Sequence, residues 1–265
     1  MARLAGRVAI ITGAGEGIGR GIARRFAAEG ASVVVAELRP KTGKTTADEL
    51  HKEFGVRAEF LPVDVGDKSQ VEGMVQQTVD ALGRVDILVN NAWGGGSVGR
   101  LEQKTDEQME HGFRIGYYAA HWAMQATLPH MRSQGSGRII NLCSLNGVNA
   151  HLYTAEYNVS KEALRALTRL AAREWGEYGI TANVICPAAA TAAYEAFRQS
   201  SPQNAAEVLS LNPMRRMGDP ERDIGGVALF LASDDAAYVT GNTIFADGGS
   251  HIGGVPWAPE LPDAD

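Results

Sequence analysis

The segment Tyr157-Asn-Val-Ser-Lys161 sets a phenol and an ammonium four residues apart. On a helix that spacing puts both side chains on one face. A phenol titrates near pH ~10 and is a poor base at neutral pH. An ammonium beside it, together with a cationic ring, stabilises the phenolate. At ~4 Å one such charge pair contributes about 4 kcal/mol near a protein surface, enough to lower the phenol pKa by up to ~3 units. Tyr157 could then take the proton of an alcohol as hydride leaves its carbon, or return one to a ketone. Ser144, thirteen residues upstream at the end of a strand-like run, supplies a hydroxyl able to orient the substrate oxygen. A lone YxxxK also arises by accident on helix surfaces. Here a strand end and the next helix bring Ser144 and Tyr157 to one edge of a sheet. Ser144 as a hydrolase nucleophile is disfavoured, because GxSxG would need glycine at Leu142 and Asn146.

A hydride needs an acceptor, and the N-terminal region offers a place for one. Val8-Ala-Ile-Ile-Thr12 runs into Gly13-Ala-Gly-Glu-Gly-Ile-Gly19 and then into a helix-like stretch ending at Glu29. Strand, glycine turn and helix together aim backbone N–H groups and a helix N-terminus at a diphosphate. The spacing is GxxxGxG through Gly13, Gly17 and Gly19, since the third position of GxGxxG would fall on Ile18. An ordinary tight turn reads the same way in isolation. Glu37 closes the second strand, eighteen positions after Gly19, where a carboxylate can accept both ribose hydroxyls of an adenosine. A solvated charge at a strand end is the competing reading. Asp64, after the third strand, is placed either to hold the adenine amino group or to cap the next helix. A 2′-phosphate beside Glu37 would cost roughly 4 kcal/mol per charge pair at an effective dielectric of ~20. Glu16 adds a second negative charge, and Arg39 is the nearby cation able to soften both. NAD is therefore expected over NADP.

Positioning these residues requires a sheet. Strand-like runs at Val8–Thr12, Ser32–Glu37, Ala58–Pro62, Ile87–Asn90, Arg138–Leu142, Thr181–Cys186 and Asn242–Ala246 alternate with helix-like stretches. The helical stretches are Ile18–Glu29, Thr42–Lys52, Lys68–Leu82, Asp106–Met131, Ala155–Trp175 and Pro220–Leu231. Nearly all-apolar strands alternating with helices predict an α/β fold: one Rossmann-type, doubly wound parallel sheet of about seven strands, helices on both faces. Residues 1–250 read as one domain with a helical flap at 188–216, and 251–265 as a C-terminal extension. Trp257 in that extension is expected to fold over its own pocket or to reach a neighbouring subunit. Glycine is unusually common, 31 of 265 residues, without a collagen period or low-complexity tract. Gly13–Gly21 crowd the first turn, and Gly94, Gly95, Gly96 and Gly99 follow the fourth strand, where backbone is expected to lie against a dinucleotide.

Bulk composition excludes several classes. Net charge is −6, from 25 basic and 31 acidic residues, and no basic run is present. Nucleic acid and anionic membrane are thus not expected partners. No apolar window is long enough for a membrane span, and the N-terminus has no secretory h-region. Cys143 and Cys186 read as buried free thiols of a reducing cytoplasm. The six histidines show no metal-binding spacing, so no metal is expected.

Taken together, these residues resemble the short-chain dehydrogenase/reductase family, over about Arg7 to Gly249. The motifs are Thr12-Gly-Ala-Gly-Glu-Gly-Ile-Gly19, Asp86-Ile-Leu-Val-Asn-Asn-Ala92, Ser144 and Tyr157-xxx-Lys161. Arg216-Met-Gly-Asp-Pro220, Phe230-Leu-Ala-Ser233, Tyr238-Val-Thr-Gly241 and Asp247-Gly-Gly249 follow in order. The resemblance implies an NAD(P) cofactor, hydride transfer between alcohol and carbonyl, and a homotetramer. Ser144, Tyr157 and Lys161 would be the catalytic set, with Lys161 also holding the nicotinamide ribose. Gly13, Glu16, Gly17, Ile18, Gly19, Glu37, Asp64, Val65, Asn91, Ala92, Pro187, Ala190 and Thr191 would line the cofactor. Three residues between Tyr and Lys match the alcohol-oxidising branch, the enoyl reductases of this fold having a longer spacing.

Three departures bear on that expectation. Asn-Asn-Ala-Gly becomes Asn90-Asn91-Ala92-Trp93, an indole that would either wall the site for a flat substrate or pack on the flap. The asparagine expected in the long fourth helix aligns with Gly116, which keeps only the backbone carbonyl able to hold a water near the lysine. Pro-Gly after the sixth strand is Pro187-Ala188, ahead of the segment through which Ala190 and Thr191 would hold the nicotinamide amide. Candidate substrate walls are Trp93, Leu145, Asn146, His151, Tyr153, Tyr194, Phe197 and Met214, mostly apolar or aromatic. A cyclic or aromatic secondary alcohol or ketone is the expected small-molecule partner. An NADP-linked ketone reductase, or a dinucleotide-binding regulator without turnover, are the alternatives.

Overall fold

The computed structural model describes residues 2–253; Met1 and residues 254–265, with Trp257, lie outside the described residues. Seven strands form one sheet: β1 (Val8–Thr12), β2 (Ser32–Glu37), β3 (Ala58–Pro62), β4 (Ile87–Asn90), β5 (Gly137–Leu142), β6 (Ile180–Pro187) and β7 (Thr243–Ala246). Their order is β3-β2-β1-β4-β5-β6-β7, and all neighbours are parallel. The chain winds outward from β1 to β3, then returns to place β4 on the other side of β1. That reversal opens a crevice at the carboxyl ends of β1 and β4, where such sheets take ligands.

Alternate strand residues serve two cores because both faces are covered. Ala9 and Ile11 join Val33, Val35, Ile87 and Val89 beneath α1 (Gly17–Ala28), α2 (Pro40–Phe54) and α10 (Gly225–Ala232). Ile10, Val34, Leu88 and Ile139 turn the other way, onto α3 (Lys68–Leu82), α5 (Ala119–Gln134) and α7 (Ala155–Trp175). This period-two division of wholly apolar strands is the signature of a sheet buried on both sides. Phe26 of α1 is fully buried, and truncating it to alanine would cost about 3–5 kcal/mol.

One expected helix is interrupted. The stretch read as Asp106–Met131 divides into α4 (Asp106–Phe113), a wide π turn at Arg114–Tyr118 and α5. The cause is the close approach of α7. A Cβ on Gly112 would stand 2.7 Å from the Glu156 Cβ, and one on Gly116 would run into Ser160 Oγ. Two glycines one turn apart thus admit α7 almost to backbone contact, and the turn at Gly116 absorbs the mismatch. The stretch from Pro220 likewise begins with a π turn, Pro220–Ile224, before α10. Between β6 and α10 the segment read as a flap contains two helices, α8 (Ala192–Ser200) and α9 (Pro202–Leu211). A short α6 (Leu145–Val148) follows β5.

Candidate active site

The glycine turn is shaped by backbone contacts. A Cβ on Gly19 would strike the Gly13 carbonyl oxygen, so α1 can start this close to β1 only with glycine there. Gly13 has φ +65° and lies against Ala92, whose Cα would be 2.9 Å from an added Cβ. Thr12 Oγ1 accepts from the N–H groups of Asn91 (3.0 Å) and Ala92 (3.1 Å), and the Asn91 amide donates to the carbonyls of Thr12 and Gly13 (3.0 and 3.1 Å). The ends of β1 and β4 are thereby stapled together. α1 has no side-chain cap and no acidic residue in its first turn. Its N-terminal donors at Gly17, Ile18 and Gly19 fit a diphosphate. Thr191 stands over this turn, its methyl 3.7 Å from an added Cβ at Gly17.

Glu37 is not a solvated strand end. Its side chain is buried and accepts from the N–H of Gly15 and of Arg39, both at 3.1 Å. The Arg39 guanidinium bridges the two carboxylates, 2.6 Å from Glu16 and 3.3 Å from Glu37. Hydrogen bonds to Glu16 and then to Glu37 hold its pKa above the ordinary value. Arg39 therefore offsets much of the negative charge that favoured NAD from sequence. Asp64 does not cap α3; Asp67 does, accepting from Ser69 and Gln70 N–H. The exposed Asp64 instead closes its own turn, accepting from Gly66 N–H at 2.8 Å. Val65 is half-buried near the β4 end.

The catalytic candidates converge beyond β5. Ser144 is the N-cap of α6, its oxygen accepting from Asn146 N–H at 3.1 Å. Lys161 is buried and donates to the Leu142 carbonyl at 2.8 Å. Its Nζ lies over the Tyr157 ring, 5.6 Å from the centroid. Burial pushes the Tyr157 phenol up, and a hydrogen bond with Ser144 draws it part-way back. Burial pushes Lys161 down. In the chain by itself desolvation thus dominates, and the ammonium-driven lowering of Tyr157 expected from sequence does not appear. Pro187 ends β6, and the Ala190 N–H is committed to the Gly218 carbonyl at 2.8 Å, so it cannot serve a nicotinamide amide. Thr191 caps α8, accepting from Tyr194 N–H at 3.3 Å.

Around this centre the expected substrate residues separate. Trp93 packs on the Tyr157–Lys161 pair itself, its ring 4.6 Å from that of Tyr157. Gly96 lies against the indole, and Gly94 and Gly95 against His111, where sequence placed a dinucleotide. Leu145 and Asn146 are half-buried on α6, directly after Ser144. His151 and Tyr153 lie exposed on the loop before α7, Tyr153 with φ +69°. Tyr194 and Phe197 form their own pair on α8, with centroids 6.4 Å apart. Met214 lines a separate cavity beside β7 and α10.

One cluster escaped the sequence reading. Lys104 lies 2.8 Å from Glu156 Oε2 with both side chains almost fully buried, and also donates to Ser97 Oγ and the Ser97 carbonyl. Glu156 accepts from Ser97 N–H at 2.7 Å. Burial pushes the Glu156 carboxyl up, but Lys104 and Ser97 outweigh it and hold it below the ordinary range. This clamp ties the loop after β4 to the residue preceding Tyr157. Glu156 looked like a first-turn helix charge, and nothing local connects it with a lysine fifty-two positions upstream.

A doubly wound parallel sheet with a glycine turn and a Ser/Tyr/Lys cluster along one edge defines a Rossmann-type oxidoreductase. A family model described as enoyl-(acyl carrier protein) reductase matches residues 13–251. The 12alpha-hydroxysteroid dehydrogenase of a Clostridium species is 38% identical over 250 residues, covering 92% of this chain and 96% of that protein. The L-sorbose reductase of Gluconobacter frateurii, solved with NADPH and L-sorbose, superposes with TM-score 0.88 at 32% identity, covering 95% of this chain and 99% of the other. An NAD+-bound xylitol dehydrogenase superposes with TM-score 0.86 at 29% identity, covering 93% and 100%. The chain belongs to the short-chain dehydrogenase/reductase family, whose members act on CH–OH groups and carbonyls with NAD(P).

Proposed function

We propose that this chain is an NAD-dependent dehydrogenase of secondary alcohols carried on cyclic or aromatic skeletons, with Tyr157 as general acid/base. The half-buried Tyr157, with the Ser144 hydroxyl and the Lys161 ammonium beside it at the carboxyl edge of the sheet, carries the reading. The three-residue gap between Tyr157 and Lys161 supports CH–OH chemistry over enoyl reduction.

In this reading the α1 N-terminus binds the diphosphate and Glu37 the adenosine ribose. Lys161 holds the nicotinamide ribose. Bound there, the nicotinamide would accept or supply the hydride. Ser144 orients the substrate oxygen, and Tyr157 takes or returns its proton at the phenolic oxygen. The α8–α9 segment serves as the flap. Apolar and aromatic side chains near the site, Trp93 and Leu145 foremost, support a ring-bearing substrate, as does the hydroxysteroid relative. The two polyol-type neighbours argue for keeping open-chain alcohols in any screen.

The Arg39 bridge favours a second reading, an NADP-linked ketone reductase, because a 2′-phosphate could take Arg39 from Glu16 and Glu37. Titrating the chain with NADH and NADPH, followed by a panel of cyclic, aromatic and polyol alcohols with each oxidised cofactor, decides between the two. Tighter NADH binding and turnover of a cyclic alcohol are expected; tighter NADPH binding overturns the cofactor assignment, and turnover confined to polyols overturns the substrate class. A reducing cytoplasm, which the two buried free thiols support, and a homotetramer, to be checked by light scattering, complete the proposal.

A further inference from the structure

Nothing in the chemistry above calls for an indole at position 93, yet Trp93 touches both members of the catalytic pair. Its ring meets that of Tyr157 edge-on at 66°, and Lys161 Nζ lies over it, 5.7 Å from the centroid. Two glycines make the room: a Cβ on Gly96 or on Gly116 would stand 3.0 Å from a ring carbon. The loop that carries the indole is held at several points. Ala92 N–H donates to Thr12, the Gly94 carbonyl meets His111 Nε2 at 2.9 Å, and Ser97 is gripped by the Lys104–Glu156 pair. Among the described residues no carboxylate forms an ion pair with Lys161. A cavity of about 10 Å³, the room of a single water, adjoins it, lined by Thr12, Asn90, Gly116 and Lys161.

We propose that Trp93 is a positioning residue for the Tyr157–Lys161 pair, its indole shutting bulk water away from the ammonium and fixing the plane of the phenol. The inference deepens the proposed role of Tyr157, but its physical content needs no substrate. The groups facing the pair are Ser144 and Cys143 from the β5 end and Cys186 from β6. Burial pushes both thiols up to about 12, so they stay neutral. Glu156 is paired with Lys104, and Glu162 with Arg165. Removing the indole therefore changes hydration and no neighbouring charge.

The test is an ultraviolet difference titration of the phenols, with Tyr157→Phe used to isolate the Tyr157 signal. Trp93→Ala readmits water and should raise the Tyr157 phenolate fraction about tenfold at a fixed pH below its midpoint, with Trp93→Phe in between. An unchanged Tyr157 signal in a variant that still melts cooperatively and binds NADH overturns the proposal. Should Trp93→Ala fail to fold, Trp93→Phe decides alone, by an increase or its absence. A shifted phenol in a chain that oxidises no alcohol would sink the proposed function and leave this inference standing.

Discussion

The carboxyl edge of the sheet is built in two ways. Between β1 and β2 the turn Gly13–Gly19 takes its shape from close backbone approach at its glycines, with the Asn91 and Glu37 side chains bonded to its backbone. Between β4 and β6 the Ser144, Tyr157 and Lys161 cluster is held by side chains, among them the Lys104–Glu156 clamp and the Trp93 indole. The first region is announced by its own glycine spacing, although it closes on Asn91 and Ala92. The second depends on partners scattered over sixty positions of chain. Damage should accordingly spread differently: a change in the turn should weaken cofactor binding, and a change at Ser144, Tyr157 or the Lys104–Glu156 clamp should alter protonation or loop order with binding preserved.

The largest expected effect is Tyr157→Phe, which removes the proposed general acid/base and should lower turnover about 10³-fold while NADH binding persists. Steady-state rates and a fluorescence titration check both halves. Full activity in this variant would place proton transfer elsewhere. The pH profile sharpens the point. Alcohol oxidation needs the phenolate, so its rate should climb with pH through a Tyr157 ionisation that burial pushes up. Ser144→Ala removes the group that lowers that pKa, so the climb should move to higher pH, while carbonyl reduction keeps its protonated acid over a wider range.

Lys104→Met should come next. It leaves Glu156 buried without its cation, a situation that costs about 3–5 kcal/mol. Denaturant unfolding measures the loss, and Lys104→Met with Glu156→Leu should restore most of it by making the site apolar. If the single change proved neutral, the clamp would be a bystander and the contrast between the two regions would weaken. Gly19→Ala probes the other region. Its methyl meets the Gly13 carbonyl oxygen, a backbone atom that cannot swing aside. About 1–3 kcal/mol of strain is expected, with NADH affinity down by roughly tenfold or more.

The same contrast explains what was legible in the sequence. All seven strands, the sheet class and the glycine turn could be read because apolar runs and glycine spacing are local signals. The four-residue spacing of Tyr157 and Lys161 was equally visible. What escaped was the break at Gly116, since the approach of Ser160 on another helix and of the Trp93 ring makes that glycine necessary. Glu156 and Lys104 escaped for the same reason. Asp64 was weighed as a cap of α3, but Asp67, three residues on, makes that cap. Arg39 was noticed as a softening charge, but its bridging of Glu16 and Glu37 is a matter of side-chain reach that spacing does not encode.

The smallest effects concern cofactor choice, where both kinds of construction meet. Glu37 is buried and fixed by the Gly15 N–H, so its charge lies close to any 2′-phosphate and is poorly screened. Glu37→Ala should therefore raise the NADPH-to-NADH affinity ratio about tenfold. Arg39 is more than half exposed and shares its charge between two carboxylates, so solvent and salt weaken it. Arg39→Ala should lower the same ratio, by only about threefold, and less at high salt. Opposite signs with unequal sizes are the expected outcome of paired titrations. If Arg39→Ala had the larger effect, the guanidinium would be the cofactor's selector, and the NADP-linked reading would become the better one.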